Sequence, residues 1–224
     1  MSNSNTIPIE AWNSVLFDKF SRFRHVLTYG LSAHSDEVLG RRPFASGRRV
    51  LDVGCGFGDT TRLIARQVAS GGASIGVDCA QRFIELANAE LIERPVANAS
   101  FFVADVECDD LEGPYDHVFS RFGTMFFNRP GAALRNIHKA LAPGGTLSMI
   151  VWRRRQDNPW VHDAGCEQRR CLSRRALIRR PSRACGSHPS ASSARWPFYR
   201  GSTGAGAVMG LRRDGELSNV PRFD

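Results

Sequence analysis

At 224 residues, 42% of them hydrophobic, the chain has room for one α/β domain with a sizeable core and some extra length. No apolar run approaches the ~20 residues of a membrane helix, and Met1 to Glu10 lacks the apolar core of a signal peptide, so a soluble cytoplasmic protein is expected. The net charge of +8 belongs to the tail: Met1 to Val151 holds 15 Lys and Arg against 16 Asp and Glu, whereas Trp152 to Asp224 holds 15 Arg against 6 acids. It therefore gives no basic footprint to the front of the chain.

Ile9 to Gly40 reads as helical, because Trp12, Val15, Leu16, Phe20, Phe23, Val26 and Leu27 recur at three- and four-residue spacings. Such a helix can pack on the domain, lie over a ligand as a lid, or do both. Arg49 to Val53 is a short apolar strand that runs into Gly54-Cys55-Gly56-Phe57-Gly58. Asp59-Thr60-Thr61 supplies N-cap chemistry for the next helix, and Gly71-Gly72 stops it. The alternation then repeats. Ala73 to Val77 is a strand ending at Asp78, Gln81 to Ile92 a helix, and Ser100 to Val103 a strand ending in Ala104-Asp105. Asp116 to Phe119 is a strand ending at Ser120-Arg121, Pro130 to Leu141 a helix, and Thr146 to Trp152 a fifth strand. Apolar, unpatterned strands alternating with helices indicate a parallel sheet covered on both faces, a doubly wound α/β fold. Ligands of such folds bind at the carboxyl ends of the strands, where Asp52, Asp78, Asp105 and Ser120 fall.

The glycine-rich turn alone suits a dinucleotide site, a phosphate loop or a nucleoside-sulfonium site. A phosphate loop needs a Gly-Lys-Ser/Thr ending, and this turn has no lysine. A dinucleotide site wants Gly-x-Gly-x-x-Gly. Here the spacing is Gly-x-Gly-x-Gly, with Asp52 two residues before the first glycine. A carboxylate there repels a diphosphate and suits a ligand carrying an ammonium and a sulfonium.

Val50-Leu51-Asp52-Val53-Gly54-Cys55-Gly56-Phe57-Gly58 resembles the first motif of class I S-adenosylmethionine (SAM)-dependent methyltransferases, with a Rossmann-like sheet. The resemblance implies SAM as cofactor. Asp52 would serve the amino group of the methionine part, directly or through water, and Gly54, Cys55, Gly56 and Gly58 would form the loop against it. Asp78 would take the two ribose hydroxyls, with Cys79 flanking the adenine. Asp105 and Val106 would meet the adenine amino group and ring, and Ser120 and Arg121 would lie beneath the methionine moiety. Ser120-Arg121-Phe122-Gly123-Thr124-Met125-Phe126-Phe127 and Asp157-Asn158-Pro159-Trp160 are similar to bacterial methyltransferases near the ubiquinone/menaquinone-biosynthesis type. The likeness runs from about Trp12 to Ala164. It implies a SAM-binding domain over 45–164 but fixes no substrate; the amphipathic N-terminal helix over residues 1–44 is expected as a helical lid, and the slightly acidic front of the chain points to a small-molecule methyl acceptor rather than nucleic acid.

His25, Tyr29, His34 and His162 are candidate bases, none in a motif, and no catalytic residue is assigned. Cys166 and Cys171 lack a matching pair at zinc spacing, so no metal is expected. From residue 165 to 224 Arg, Ser, Gly and Pro dominate and the apolar residues are scattered, a composition expected to be disordered. Members of the family continue with a helix and two strands that complete a seven-stranded sheet with an antiparallel last strand. The tail is expected to lack them, as a reading-frame change in GC-rich coding DNA would cause, leaving the fifth strand as an open edge and methyl transfer impaired. Two other functions remain open: nucleic-acid binding through the Arg pairs of the tail, and an NAD-dependent oxidoreductase on the same glycine loop.

Overall fold

The computed structural model describes residues 6–152, 201–203 and 206–212, with side chains over 9–152. Helices α1 (Thr6–Ala11), α2 (Phe17–Arg22) and α3 (Arg24–Arg41) lead into strand β1 (Arg49–Val53). Then follow α4 (Asp59–Val68), β2 (Ala73–Asp78), α5 (Gln81–Glu93), β3 (Ala99–Val103), β4 (Tyr115–Arg121), α6 (Pro130–Ala140) and β5 (Leu141–Trp152). Two further strands, β6 (Gly201–Thr203) and β7 (Gly206–Arg212), close the order.

The sheet runs β3-β2-β1-β4-β5-β7-β6. β1 to β5 are mutually parallel, as the alternation of elements predicts. Neighbouring residues of one strand feed opposite cores, so the sheet is covered on both faces. Val50, Phe119 and Ile150 pack with Val38 and Leu39 of α3 and Ile64 and Val68 of α4. Leu51, Val118 and Leu147 pack with Ala133 and Ile137 of α6. This is the burial that forces apolar residues at successive strand positions.

Three expectations are corrected. The fifth strand is not an open edge: β7 pairs antiparallel with it from Thr146↔Arg212 to Trp152↔Gly206, and β6 pairs antiparallel with β7. β7 escapes sequence reading because two glycines interrupt its apolar run, and an isolated glycine weakens a strand pattern. The expected disorder of the remaining tail falls outside the described residues. The helix over Ile9 to Gly40 is broken twice. A π-helical turn, Trp12–Leu16, holds Ser14 at φ −129°, ψ −106°, and Phe23 leaves helical geometry at φ −104°, ψ 17°. Ser14 Oγ donates to the Glu10 carbonyl at 2.7 Å, the back-bond by which serine bends helices. Finally, α4 has no side-chain cap. Gly58, left-handed at φ 76°, occupies the N-cap. Asp59 instead pairs with Arg24 and Arg62, and Thr61 donates to Asp52 at 2.7 Å.

Candidate functional site

A cavity of about 650 Å³ opens at the carboxyl ends of the parallel strands, within the range of small-ligand sites. Its floor begins with the β1–α4 turn. Gly54 and Gly56 are left-handed, at φ 70° and 52°, a conformation that costs glycine little. The N–H groups of Gly54 and Cys55 both donate to the Val77 carbonyl, at 2.8 and 3.1 Å, which ties the turn to β2. A Cβ on Gly54 would come within 2.9 Å of Gly123 Cα, whereas one on Gly56 would meet nothing closer than the Phe83 ring at 4.0 Å. The first glycine lets two loops touch; the second leaves room beside the cavity.

Asp78, at the end of β2, accepts the Gly56 N–H through Oδ2 and the Ala80 N–H through Oδ1, both at 3.0 Å. Burial raises its pKa against the pull of those N–H groups. Asp105, beyond β3, is 7% exposed and accepts the Glu107 N–H at 2.9 Å, so one of its oxygens organises its own turn. The Cys79 thiol is pushed up to about 12, by burial first and by the Asp78 and Asp105 carboxylates. Burial also raises Cys55. Neither cysteine carries the thiolate a nucleophile requires.

Of the residues marked from sequence, Gly54, Cys55, Gly56, Asp78, Cys79, Asp105, Val106 and Arg121 line this one cavity. Three do not. Asp52 is 1% exposed, lying behind the glycine turn on Thr61, with its carboxyl pushed up to about 6 by burial against the Thr61 hydrogen bond and the Arg121 charge. Ser120 is fully buried and donates to the Val53 carbonyl at 2.8 Å. Gly58 packs against β3, since a Cβ there would fall 2.4 Å from the Phe101 ring.

The aromatic wall is the part that motif reading missed. Trp12 and Phe20 of the N-terminal helices line the cavity with Phe57, Phe83, Phe122, Phe126 and Trp152. Trp12 stands edge-on to Phe20, Phe83 and Phe126. The helical periodicity singled out Trp12 and Phe20 but carried no sign of what they meet. Glu107 was also missed: its carboxylate accepts the N–H groups of Asn128 and Arg129 and pairs with Arg129 Nε at 3.0 Å, holding the loop after β4 beside the loop after β3. Of the candidate bases, His34 lines the cavity and His25 and Tyr29 do not; His162 lies outside the described residues. The His34 pKa is lowered by burial and by Arg121. Among the described residues no cluster of three or more His, Cys, Asp or Glu could hold a metal ion, and no helix is long and apolar enough to cross a membrane.

Residues 50–145 match the family of methyltransferase domains. The chain is 29% identical over 150 residues to the trans-aconitate 2-methyltransferase of Delftia acidovorans, covering 65% of this chain and 51% of that protein. It is 26% identical over 144 residues to the ubiquinone/menaquinone biosynthesis C-methyltransferase UbiE of a Shewanella species, covering 62% and 56%. The chain thus spans about half the length of these curated relatives. A SAM-dependent methyltransferase from Aquifex aeolicus shares its fold, with a TM-score of 0.55 at 17% identity over 79% of this chain and 88% of that one. All three are methyltransferases.

Proposed function

We propose that this chain, whose residues 50–145 match the family of methyltransferase domains, is a class I SAM-dependent methyltransferase that transfers a methyl group from SAM to a small-molecule acceptor. The observation that carries the reading is the convergence of the glycine turn, Asp78 and Asp105, from three adjacent strand ends, on one cavity. The residues suit the cofactor. The space beside Gly56 admits a ligand next to the backbone, Asp78 offers acceptors to paired hydroxyls, and the buried Asp52 sets negative charge behind the turn.

Asp78 accepts the ribose hydroxyls, Asp105 and Val106 take the adenine, and the backbone of Gly54 to Gly56 lies against the methionine part, with Asp52 favouring its ammonium. Residues 1–44 act as a helical lid on a cofactor domain running from 45 to about 164, and the aromatic wall keeps water out. Bound SAM supplies a methyl group made electrophilic by its positive sulfur. The chain's contribution is alignment, which provides up to ~7–11 kcal/mol of barrier reduction. His34, held neutral near neutral pH, accepts the proton of a protic acceptor. A cytoplasmic setting suits the free thiols Cys55, Cys79 and Cys108, a state that reducing compartments maintain.

The test is methyl transfer from radiolabelled SAM to a panel of small aromatic and aliphatic acids, phenols and amines, with RNA and DNA alongside. Label on a small acceptor is expected. Label on bulk nucleic acid alone would overturn the reading.

A further inference from the structure

The sheet order divides the cavity. β3, β2 and β1 end on one side, where Asp105, Asp78 and the glycine turn stand; β4 and β5 end on the other. The cofactor reading uses the first side. The second has a different chemistry. Phe122, just past β4, stacks on Trp152 at the end of β5, with centroids 4.3 Å apart and planes at 22°. His34 of α3 stands edge-on to both rings, at 5.5 and 6.1 Å. Into this apolar corner comes Arg121, the last residue of β4.

Arg121 lines the cavity at this corner with little to hold it. Its one direct hydrogen bond among the described residues runs from Nη1 to Ser35 Oγ, at a long 3.3 Å. No carboxylate of the described residues lies within ion-pair distance of it. Asp52, Asp59 and Asp36 act on it through their charges alone. A guanidinium keeps its charge under all ordinary conditions and carries five N–H donors in a planar fork. Half-buried and without a paired carboxylate among the described residues, it lacks the compensation that a partly desolvated charge usually finds. The structure therefore presents a cation with open donors, bordered by flat apolar rings.

We propose that Arg121 anchors the methyl acceptor, and that the acceptor is a flat apolar acid: its carboxylate bonds to the guanidinium and its ring system lies against Phe122 and Trp152. A carboxylate matches the fork with two parallel hydrogen bonds. This rests on reading the cavity as a SAM site. The methionine part of the cofactor carries a carboxylate too; Arg121 is tied to α3 through Ser35 and lines the cavity with His34 and Trp152 as well as with the glycine turn, so titration of R121Q with S-adenosylhomocysteine decides between the two occupants.

The probes are 2-naphthoate and 2-naphthamide, equal in shape and different in charge, titrated by calorimetry into the full chain saturated with S-adenosylhomocysteine. The wild type is expected to bind the acid at least ten-fold more tightly than the amide. R121Q should erase that preference and leave S-adenosylhomocysteine affinity within two-fold. R121K, which keeps the charge without the fork, should retain part of the preference and guards against a misfolded R121Q. A wild type that binds S-adenosylhomocysteine but does not distinguish acid from amide would overturn the proposal alone. So would an R121Q that loses S-adenosylhomocysteine affinity ten-fold, which would assign the guanidinium to the cofactor. A folded wild type that binds no S-adenosylhomocysteine would overturn the SAM reading and this proposal with it.

Discussion

Asp52 shows how one buried carboxyl couples stability to ligand binding. Burial pushes it from 3.8 to about 6 in the folded chain. A raised carboxyl stabilises the fold when protonated, so its contribution is complete below about pH 4 and is lost as pH rises through about 6. A cationic ligand favours the ionised form. SAM binding at about pH 6 should therefore release a proton and tighten as pH rises toward about 7. Calorimetry in two buffers of different ionisation heat checks this: wild type should show the release, D52N little of it, and equal heats for the wild type would contradict it. His34 offers the second prediction at this scale. H34Q should lower kcat about 100-fold, the low end of general-base catalysis, with S-adenosylhomocysteine affinity unchanged; an unaltered kcat on a phenolic acceptor would remove His34 from proton transfer. Asp78 and Asp105 were legible in the sequence because an acid just past an apolar strand falls at the ligand edge of a parallel sheet. Glu107 was not, because its partners Asn128 and Arg129 are about twenty residues away and reach it through tertiary contact alone.

At the scale of elements, the β1–α4 turn and the segment after β4 are built as one piece. A Cβ on Gly123 would sit 2.8 Å from the Val53 carbonyl oxygen, 3.0 Å from Ser120 Oγ and 3.1 Å from Gly54 Cα. Backbone lies on two of those three sides, so it cannot move aside cheaply. G123A should cost about 1–3 kcal/mol, as overpacking does, and should weaken S-adenosylhomocysteine binding by shifting the glycine turn. Denaturant melts paired with titrations check it; a variant as stable and as tight as wild type would show that the two loops are independent. The N-terminal helices rest on a charged seat: Arg24 bonds Glu90 and Asp59 and lies over the Phe57 ring, 4.4 Å from its centroid. Apolar spacing made these helices legible from Trp12 onward. It could not reveal the break at Ser14, because serine interrupts no apolar stripe and acts through its hydroxyl on Glu10.

Across the whole molecule, the sheet continues past β5. Met209 of β7 lies opposite Met149 in the ladder, and M209P removes a backbone donor there while its ring disturbs the pairing. The variant should lose about 1–3 kcal/mol per backbone group left unpaired, and hydrogen exchange should quicken across Thr146 to Trp152. Unchanged exchange in that strand would argue against β7. The parallel part of the fold was readable because its strands are short apolar runs and β1, β2 and β4 are each followed by a helix. β7 was not, because its pairing is supplied by the backbone of β5 rather than by a pattern of its own. The cavity's chemistry was half readable: the acids lie in motifs, whereas the aromatic wall gathers rings from the N-terminal helices, the β1–α4 turn, α5 and the segments at the ends of β4 and β5, far apart in the chain. The central claim is that the acid side binds the cofactor, and calorimetric titration of the folded chain with S-adenosylhomocysteine and with NAD tests it most directly. One S-adenosylhomocysteine per chain should bind, NAD should give no heat, and D78A should lose about 1–3 kcal/mol of binding; a folded wild type silent to S-adenosylhomocysteine, or a D78A that binds it as well as wild type, would contradict the account.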